Sequence, residues 1–159
     1  EYNGTYAQVS NVSFYPKPIQ DPHPPIWVGG ESPPALRRAG QLGNAWYPIG
    51  NNPAFPMDTP ERLAKGMATV RQHAEEAGRD PDSIDFGYSA GWYNDREEQP
   101  GRDGGRLVFT GTPEQIAGDI KEFEELGVRH LVVGLTGATP FETLERMERF
   151  ANVVKPLTV

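Results

Sequence analysis

Gly29-Gly30-Glu31-Ser32-Pro33 is the stretch whose residue types and spacing suit chemistry. Two adjacent glycines let a backbone bend sharply and approach a ligand closely. Ser32 is placed to cap a helix and Pro33 to be its first residue. A helix start presents unpaired N–H groups and a partial positive charge, so the turn suits a phosphate or another anion. An ordinary strand-to-helix turn without a ligand fits the same residues, 25–36, equally well. Both readings stand at this point.

The other candidates are scattered. Trp46 follows in the next strand and either lines a pocket or packs in the core. Trp92 and Tyr93 open a long loop after a strand, where a contact to cofactor or substrate is one reading and loop packing the other. Arg37 and Arg38 lie one turn beyond the anion site, within reach of a phosphate or of a surface ion pair. His23 sits among prolines, His73 on a polar helix face, and His130 just before an apolar strand. The last two read as structural. Glu122, Glu124 and Glu125 read as solvated surface. No residue is nominated as catalytic, and no metal site is expected.

The chain has 159 residues, a net charge of −7 and no cysteine. That length suffices for one domain with a core. The acidic balance argues against nucleic acid or an anionic membrane as partner. Without cysteine there is no disulfide, thiol nucleophile or zinc–thiolate cluster. No apolar run approaches the roughly 20 residues of a membrane span, and no signal peptide is visible. The chain opens on Glu1, which reads as a processed chain or a fragment.

The elements that position the turn follow from the pattern. Residues 1–24 read as a proline-rich covering loop. A loose hairpin is expected within it at Asn3-Gly4 or Ser10-Asn11, using Tyr2, Tyr6, Val9, Val12 and Phe14. Strands are expected at 26–28, 45–49, 84–90 and 131–135, the last a continuous apolar run of the kind buried on both faces. Helices are expected at 33–42 (Leu36, Ala39 and Leu42 inward) and at 60–77 (Leu63, Met67, Val70, Ala74 and Ala77 inward). A third follows the Thr112–Gln115 capping box. The fourth follows a second box at Thr139–Glu142, with Leu144, Met147, Phe150, Ala151 and Val154 inward. Residues 91–106 form a long loop, either a binding lid or a tolerated insertion. Four strand–helix units imply a parallel α/β sheet with right-handed crossovers. Four are half of a (β/α)8 barrel; a small open sheet is the competing architecture.

These segments, in this order, resemble the C-terminal half of the luciferase-like monooxygenases, a family of flavin- and deazaflavin-dependent oxidoreductases. The likeness is carried by the lead-in with Phe14, Pro16, Pro18, Gln20 and Pro22 and by Pro25-Ile26-Trp27-Val28-Gly29-Gly30 with Ser32-Pro33-Pro34-Ala35-Leu36-Arg37-Arg38-Ala39. It continues in Ala77-Gly78-Arg79-Asp80-Pro81, in Gly111-Thr112-Pro113-Glu114-Gln115-Ile116-Ala117 and in Met147-Glu148-Arg149-Phe150-Ala151. Leu42-Gly43-Asn44-Ala45-Trp46 departs from the family's Gly-Asp-Gly-Trp, and that weakens any ligand role for Asn44 and Ala45.

The resemblance implies that residues 1–159 are a single partial domain, the C-terminal half of a TIM barrel, with units at 25–159. It implies a cofactor at the barrel mouth, its phosphate held by Val28, Gly29, Gly30 and Ser32, with Trp46 in the cofactor pocket. It implies hydride transfer between F420 (alternatively FMN) and a small organic substrate, in a cytoplasmic homodimer whose acid–base groups come mostly from the other half. Two other functions compete: a non-catalytic half-barrel assembly module, and an unrelated α/β protein that binds phosphosugars.

Overall fold

The computed structural model describes residues 1–13 and 15–158; Phe14, placed above in the hairpin and the lead-in, and Val159 lie outside the described residues. Strand β1 (Tyr2–Asn3) pairs antiparallel with β2 (Gln8–Val9). The Gly4 N–H donates to the Ala7 carbonyl at 2.9 Å, so the hairpin forms at the first of its two expected places. Every described residue from 5 to 27 is exposed. The segment expected to cover the sheet therefore buries none of its own side chains.

Four parallel strands follow: β3 (Trp27–Gly29), β4 (Ala45–Tyr47), β5 (Asp85–Ser89) and β6 (Val128–Val132), hydrogen-bonded in that order. Helices α1 (Pro33–Leu42), α2 (Pro60–Glu76) and α3 (Pro113–Leu126) make the crossovers, and α4 (Pro140–Arg149) follows β6. Each helix starts on Pro behind a hydroxyl residue. The Thr59, Thr112 and Thr139 hydroxyls accept the N–H of Arg62, Gln115 and Glu142. Gln115 completes the capping box on the Thr112 N–H at 2.7 Å. At the second expected box, Glu142 turns instead to the Ala138 N–H at 2.7 Å, so only half of that box forms.

The core lies between the sheet's outer face and the helices. Trp46, Phe86 and Tyr88 project into it from the strands, and Leu63, Met67, Val70, Ile116 and Phe123 from α2 and α3. Helix α1 adds Leu36 and Ala39. Leu42, expected inward, is 68% exposed, and Ala77 caps α2 in solvent. Both sit at helix ends, past the reach of the sheet. The Arg79 guanidinium binds the carbonyls of Gly40 and Gly43 at the end of α1. A cation there answers the helix's negative end, which gives the Gly78-Arg79-Asp80 stretch a structural reason.

Two expectations fail toward the C-terminus. β6 begins at Val128, three residues before the expected strand, because left-handed Gly127 (φ 103°) ends α3 and turns the chain straight into the sheet. It is not buried on both faces: His130 is exposed and Val132 is 50% exposed. Helix α4 buries no residue. Phe141, Leu144 and Met147 are exposed at 75%, 59% and 50%, and Ala151 is also exposed; among the residues expected inward only Val154 is buried. Among the described residues, the inner face of the sheet and the flank of α4 are largely left uncovered.

Where α1 crosses α2, a Cβ on Gly40 would stand 2.5 Å from the Val70 carbonyl oxygen. Gly→Ala inside a helix ordinarily gains roughly 1 kcal/mol. Here overpacking costs about 1–3 kcal/mol, and the obstacle is backbone, which cannot rotate away. Gly40→Ala should therefore lower the denaturation midpoint; an unchanged or raised midpoint would refute the close crossing.

Candidate functional site

The carboxyl ends of β3 to β6 open onto one rim, the side on which α/β barrels place their sites. On it, the turn after β3 has Gly29 exposed and Gly30 at φ +99°, a conformation that glycine adopts at little cost. Ser32 is the N-cap in extended conformation, but its hydroxyl makes no capping hydrogen bond. The expected row of open helix N–H groups is absent: Pro33 and Pro34 have none, and the N–H groups of Ala35 and Leu36 both donate to the Ser32 carbonyl, at 2.8 and 3.0 Å. The donors this turn offers to an anion would therefore be those of the turn backbone itself and the Ser32 hydroxyl.

The turn is held from behind. The Glu31 carboxylate, only 4% exposed, accepts the Ile49 N–H at 2.7 Å and the Asn52 side-chain amide at 2.6 Å. Asn52 Oδ1 in turn accepts the N–H of Ala54 and Phe55. One carboxylate thus joins the turn to the whole loop after β4. Nothing local signals this role, since every partner lies about twenty residues away. Trp46 corrects an expectation. Its ring is fully buried against Phe86, and its indole N–H donates to the Gly30 carbonyl at 2.9 Å. It fixes the turn from the core side and lines no open pocket. Asn44 is structural as well, its side chain accepting the Ile26 N–H at 2.8 Å.

The inner face of the sheet carries a second group of residues. Trp27 meets the Tyr47 ring at 5.7 Å and the His130 ring edge-on at 4.9 Å. They close over Gly87, where a Cβ would stand 2.7 Å from the Tyr47 ring. His130 was expected before a strand; the register, with His130 beside Gly87, puts it within one, on this aromatic face. The other histidines are remote: His23 is exposed in the arm and His73 pairs with Glu76 on α2. Arg37 and Arg38 are exposed, and neither forms an ion pair among the described residues.

The long loop is built rather than loose. The Trp92 indole donates to the Val108 carbonyl at 2.7 Å, and bridges tie Asn94 to Thr110 and Pro100 to Arg106. Its tip is clasped to the start of α2. Arg62 binds buried Asp58 at 2.5 Å and Asp103 at 2.8 Å, and Arg102 reaches Asp58 at 3.2 Å. Trp92 is half-buried and Tyr93 buried within this packing.

Tyr93, packed edge-on against Phe150, lines a cavity of about 180 Å³ beside α4, and its buried hydroxyl has no hydrogen-bond partner among the described residues. The Tyr88 hydroxyl donates to the Met57 carbonyl at 2.8 Å. Burial pushes both phenols upward, with Asp58 adding at Tyr88 and Asp95 at Tyr93. An unfolded phenol ionises near pH ~10 while these stay neutral, so their contribution is full below about pH 10 and declines above it. Alkaline unfolding followed by circular dichroism should start there, and Tyr93→Phe should shift the onset upward. An onset that the variant leaves in place would exclude Tyr93.

Among the described residues, no cluster of acids and histidines could hold a metal ion, and no helix is long and apolar enough to cross a membrane. Residues 1–102 match the family model of the luciferase-like monooxygenases. A phthiodiolone/phenolphthiodiolone dimycocerosates ketoreductase of Mycobacterium kansasii is 34% identical over 79 residues, 50% of this chain and 20% of that protein. The chain thus matches only a fifth of that relative's length. Solved structures share the fold over essentially the whole chain. The coenzyme F420-dependent tetrahydromethanopterin reductase of Methanopyrus kandleri superposes with TM-score 0.74 at 18% identity, covering 100% of this chain and 58% of the reductase. A monooxygenase of Streptomyces bottropensis gives TM-score 0.68 at 20% identity, covering 99% and 55%. In these TIM-barrel enzymes the part like this chain is one piece of a larger fold.

Proposed function

The chain belongs to the luciferase-like monooxygenase family, and we propose that it is the cofactor-phosphate half of an oxidoreductase that uses F420, or alternatively FMN. The observation that carries the reading is the turn at 29–32. Bare backbone at Gly29 and Gly30 and the uncapped Ser32 hydroxyl stand together at the rim, locked by Glu31 and Trp46. Such a donor set fits a phosphate monoester or diester. The backbone of Val28, Gly29 and Gly30 and the Ser32 side chain hold it, and Trp46 positions the turn without touching it.

When bound, the cofactor supplies the hydride chemistry; the protein binds and orients it. The aromatic side chains of Trp27, Tyr47 and His130 lie together on the inner face of the sheet below the rim, where they can pack against a bound ring. The acid–base groups are assigned to the part of the fold that the solved relatives have and this chain does not. A small organic substrate, a homodimer and a cytoplasmic setting belong to the same proposal. The deazaflavin choice is supported by the wording of the motifs and by two structural relatives named for F420.

The test is a fluorescence titration of the protein, in its natural reading frame, with F420, FMN and a sugar phosphate. Micromolar binding of a flavin or deazaflavin, with little competition from the sugar phosphate, is expected. Binding of neither cofactor would sink the reading. The open edges, with Trp27 43% exposed, favour one second reading, a non-catalytic half barrel that closes on a partner. Sedimentation that shows a discrete assembly without cofactor affinity would select it.

A further inference from the structure

On the helix side of the sheet, α1, the loop after β4 and the first turns of α2 enclose a cleft of about 440 Å³. Leu36 and Met57, each 8% exposed, are its buried apolar residues, and Phe55 stands 40% exposed beside them. Trp27, Tyr47 and His130 take no part in its lining, so it is separate from the inner face of the sheet. We propose that this cleft binds an aliphatic monocarboxylate of medium chain length. The hydrocarbon lies against Leu36, Phe55 and Met57, and the carboxylate pairs with Lys65. The inference does not depend on the cofactor reading.

The first observation is the open apolar wall. The cleft falls within the range of roughly 300–1,000 Å³ that takes small molecules. Its half-open aromatic ring, beside a buried leucine and methionine, gains by being covered with hydrocarbon. The second is rigidity. The Asn52 side-chain oxygen accepts the N–H groups of Ala54 and Phe55, and its amide donates to Glu31. The Met57 N–H donates to the Gly50 carbonyl, and the Met57 carbonyl accepts the Tyr88 hydroxyl. A wall fixed before binding removes the entropy loss of ordering it.

The third is charge, and it selects the headgroup. Three charged residues line the cleft: Glu31, Arg62 and Lys65. Glu31 is buried and already meets two donors. The Arg62 guanidinium is shared between Asp58 and Asp103. Lys65 is exposed and has no ion-pair partner among the described residues. One uncommitted cation beside apolar walls matches one negative charge on a hydrocarbon. A polyanion would bring charges that find no partner against those walls, and an alkyl cation would meet Lys65 as a like charge.

The experiment titrates the protein by calorimetry with decanoate, decanol and decylammonium, all below the concentrations at which they form micelles. Decanoate should bind roughly tenfold tighter than decylammonium, the scale of one charge-assisted contact. Added salt should narrow that gap. Lys65→Glu should reverse the order, with decylammonium the tighter, and Phe55→Ser should weaken all three probes alike. Both side chains are exposed, and a reading on the unaltered protein needs neither variant. Carbon-13 NMR of carboxyl-labelled decanoate should show the bound carboxyl titrating at lower pH than the free one, because a nearby ammonium favours the carboxylate. Equal binding of the three probes, an order that Lys65→Glu leaves in place, or a bound carboxyl that titrates with the free one or above it would overturn the assignment. Absence of decanoate binding would overturn it as well, and the phosphate turn would be untouched by any of these results.

Discussion

Replacing Asp119 with alanine should cost the protein about 3–5 kcal/mol, the loss typical of removing one partner from a buried ion pair. Asp119 lies on the inner side of α3 and is 4% exposed. Its two oxygens receive the Arg106 guanidinium at 2.5 and 2.9 Å, and one also accepts the Phe109 N–H at 2.6 Å. Arg106 extends the network to the Thr110 carbonyl at 2.6 Å. Phe109 is held at φ +60°, a strained conformation for a bulky residue, and its ring packs on Phe123 and Tyr88. The carboxylate therefore neutralises a partly buried guanidinium and fastens the end of the long loop to α3.

Alanine would strand both the cation and the Phe109 N–H. Asparagine keeps the shape but offers one acceptor where three N–H groups need two, so it should lose less than alanine and still be clearly destabilised. Denaturant unfolding of the two variants gives the order. A loss below about 1 kcal/mol for alanine would put the pair in the class of screened surface bridges.

Helix starts and parallel order were legible because they depend on neighbouring residues: Thr-Pro and Ser-Pro caps, stripes such as Leu63, Met67, Val70 and Ala74, and a glycine after each of the first three helices. The Gly29-Gly30 turn was legible for the same reason. What the sequence concealed is set by distance. Glu31 looks like one more polar turn residue until Ile49 and Asn52 are brought to it. Asp119 looks like one of many helix-face acids. The apolar run at 131–135 misplaced β6 because hydrophobicity marks what a strand is able to bury. Where the strand begins was decided by the turn at Gly127. Helix α4 shows the opposite error. Its stripe of Leu144 and Met147 was read rightly as apolar, but among the described residues nothing buries it. The flank of α4 and the inner face of the sheet are both largely uncovered among the described residues, in a chain that spans 58% and 55% of the solved structures it resembles.

Glu31→Ala should be the variant that joins stability to binding. It leaves the Ile49 N–H and the Asn52 amide without their acceptor in a buried place, which costs about 1–3 kcal/mol for such a group. It also releases the loop after β4 from the turn, so cofactor affinity should fall by roughly tenfold or more. Glutamine is not a safe substitute here. Both partners are donors, and a carboxylate meets them with two acceptor oxygens, whereas a glutamine amide has one. Its NH2 would face either the Ile49 N–H or the Asn52 NH2. Asn52 cannot turn over to help, because its oxygen is already taken by Ala54 and Phe55. Both variants should therefore lower the unfolding midpoint and the affinity for the phosphate-bearing cofactor together. If the midpoint falls while cofactor affinity is unchanged, Glu31 fastens the loop but the turn is not where the phosphate rests. The anion site would then have to be sought elsewhere on the rim.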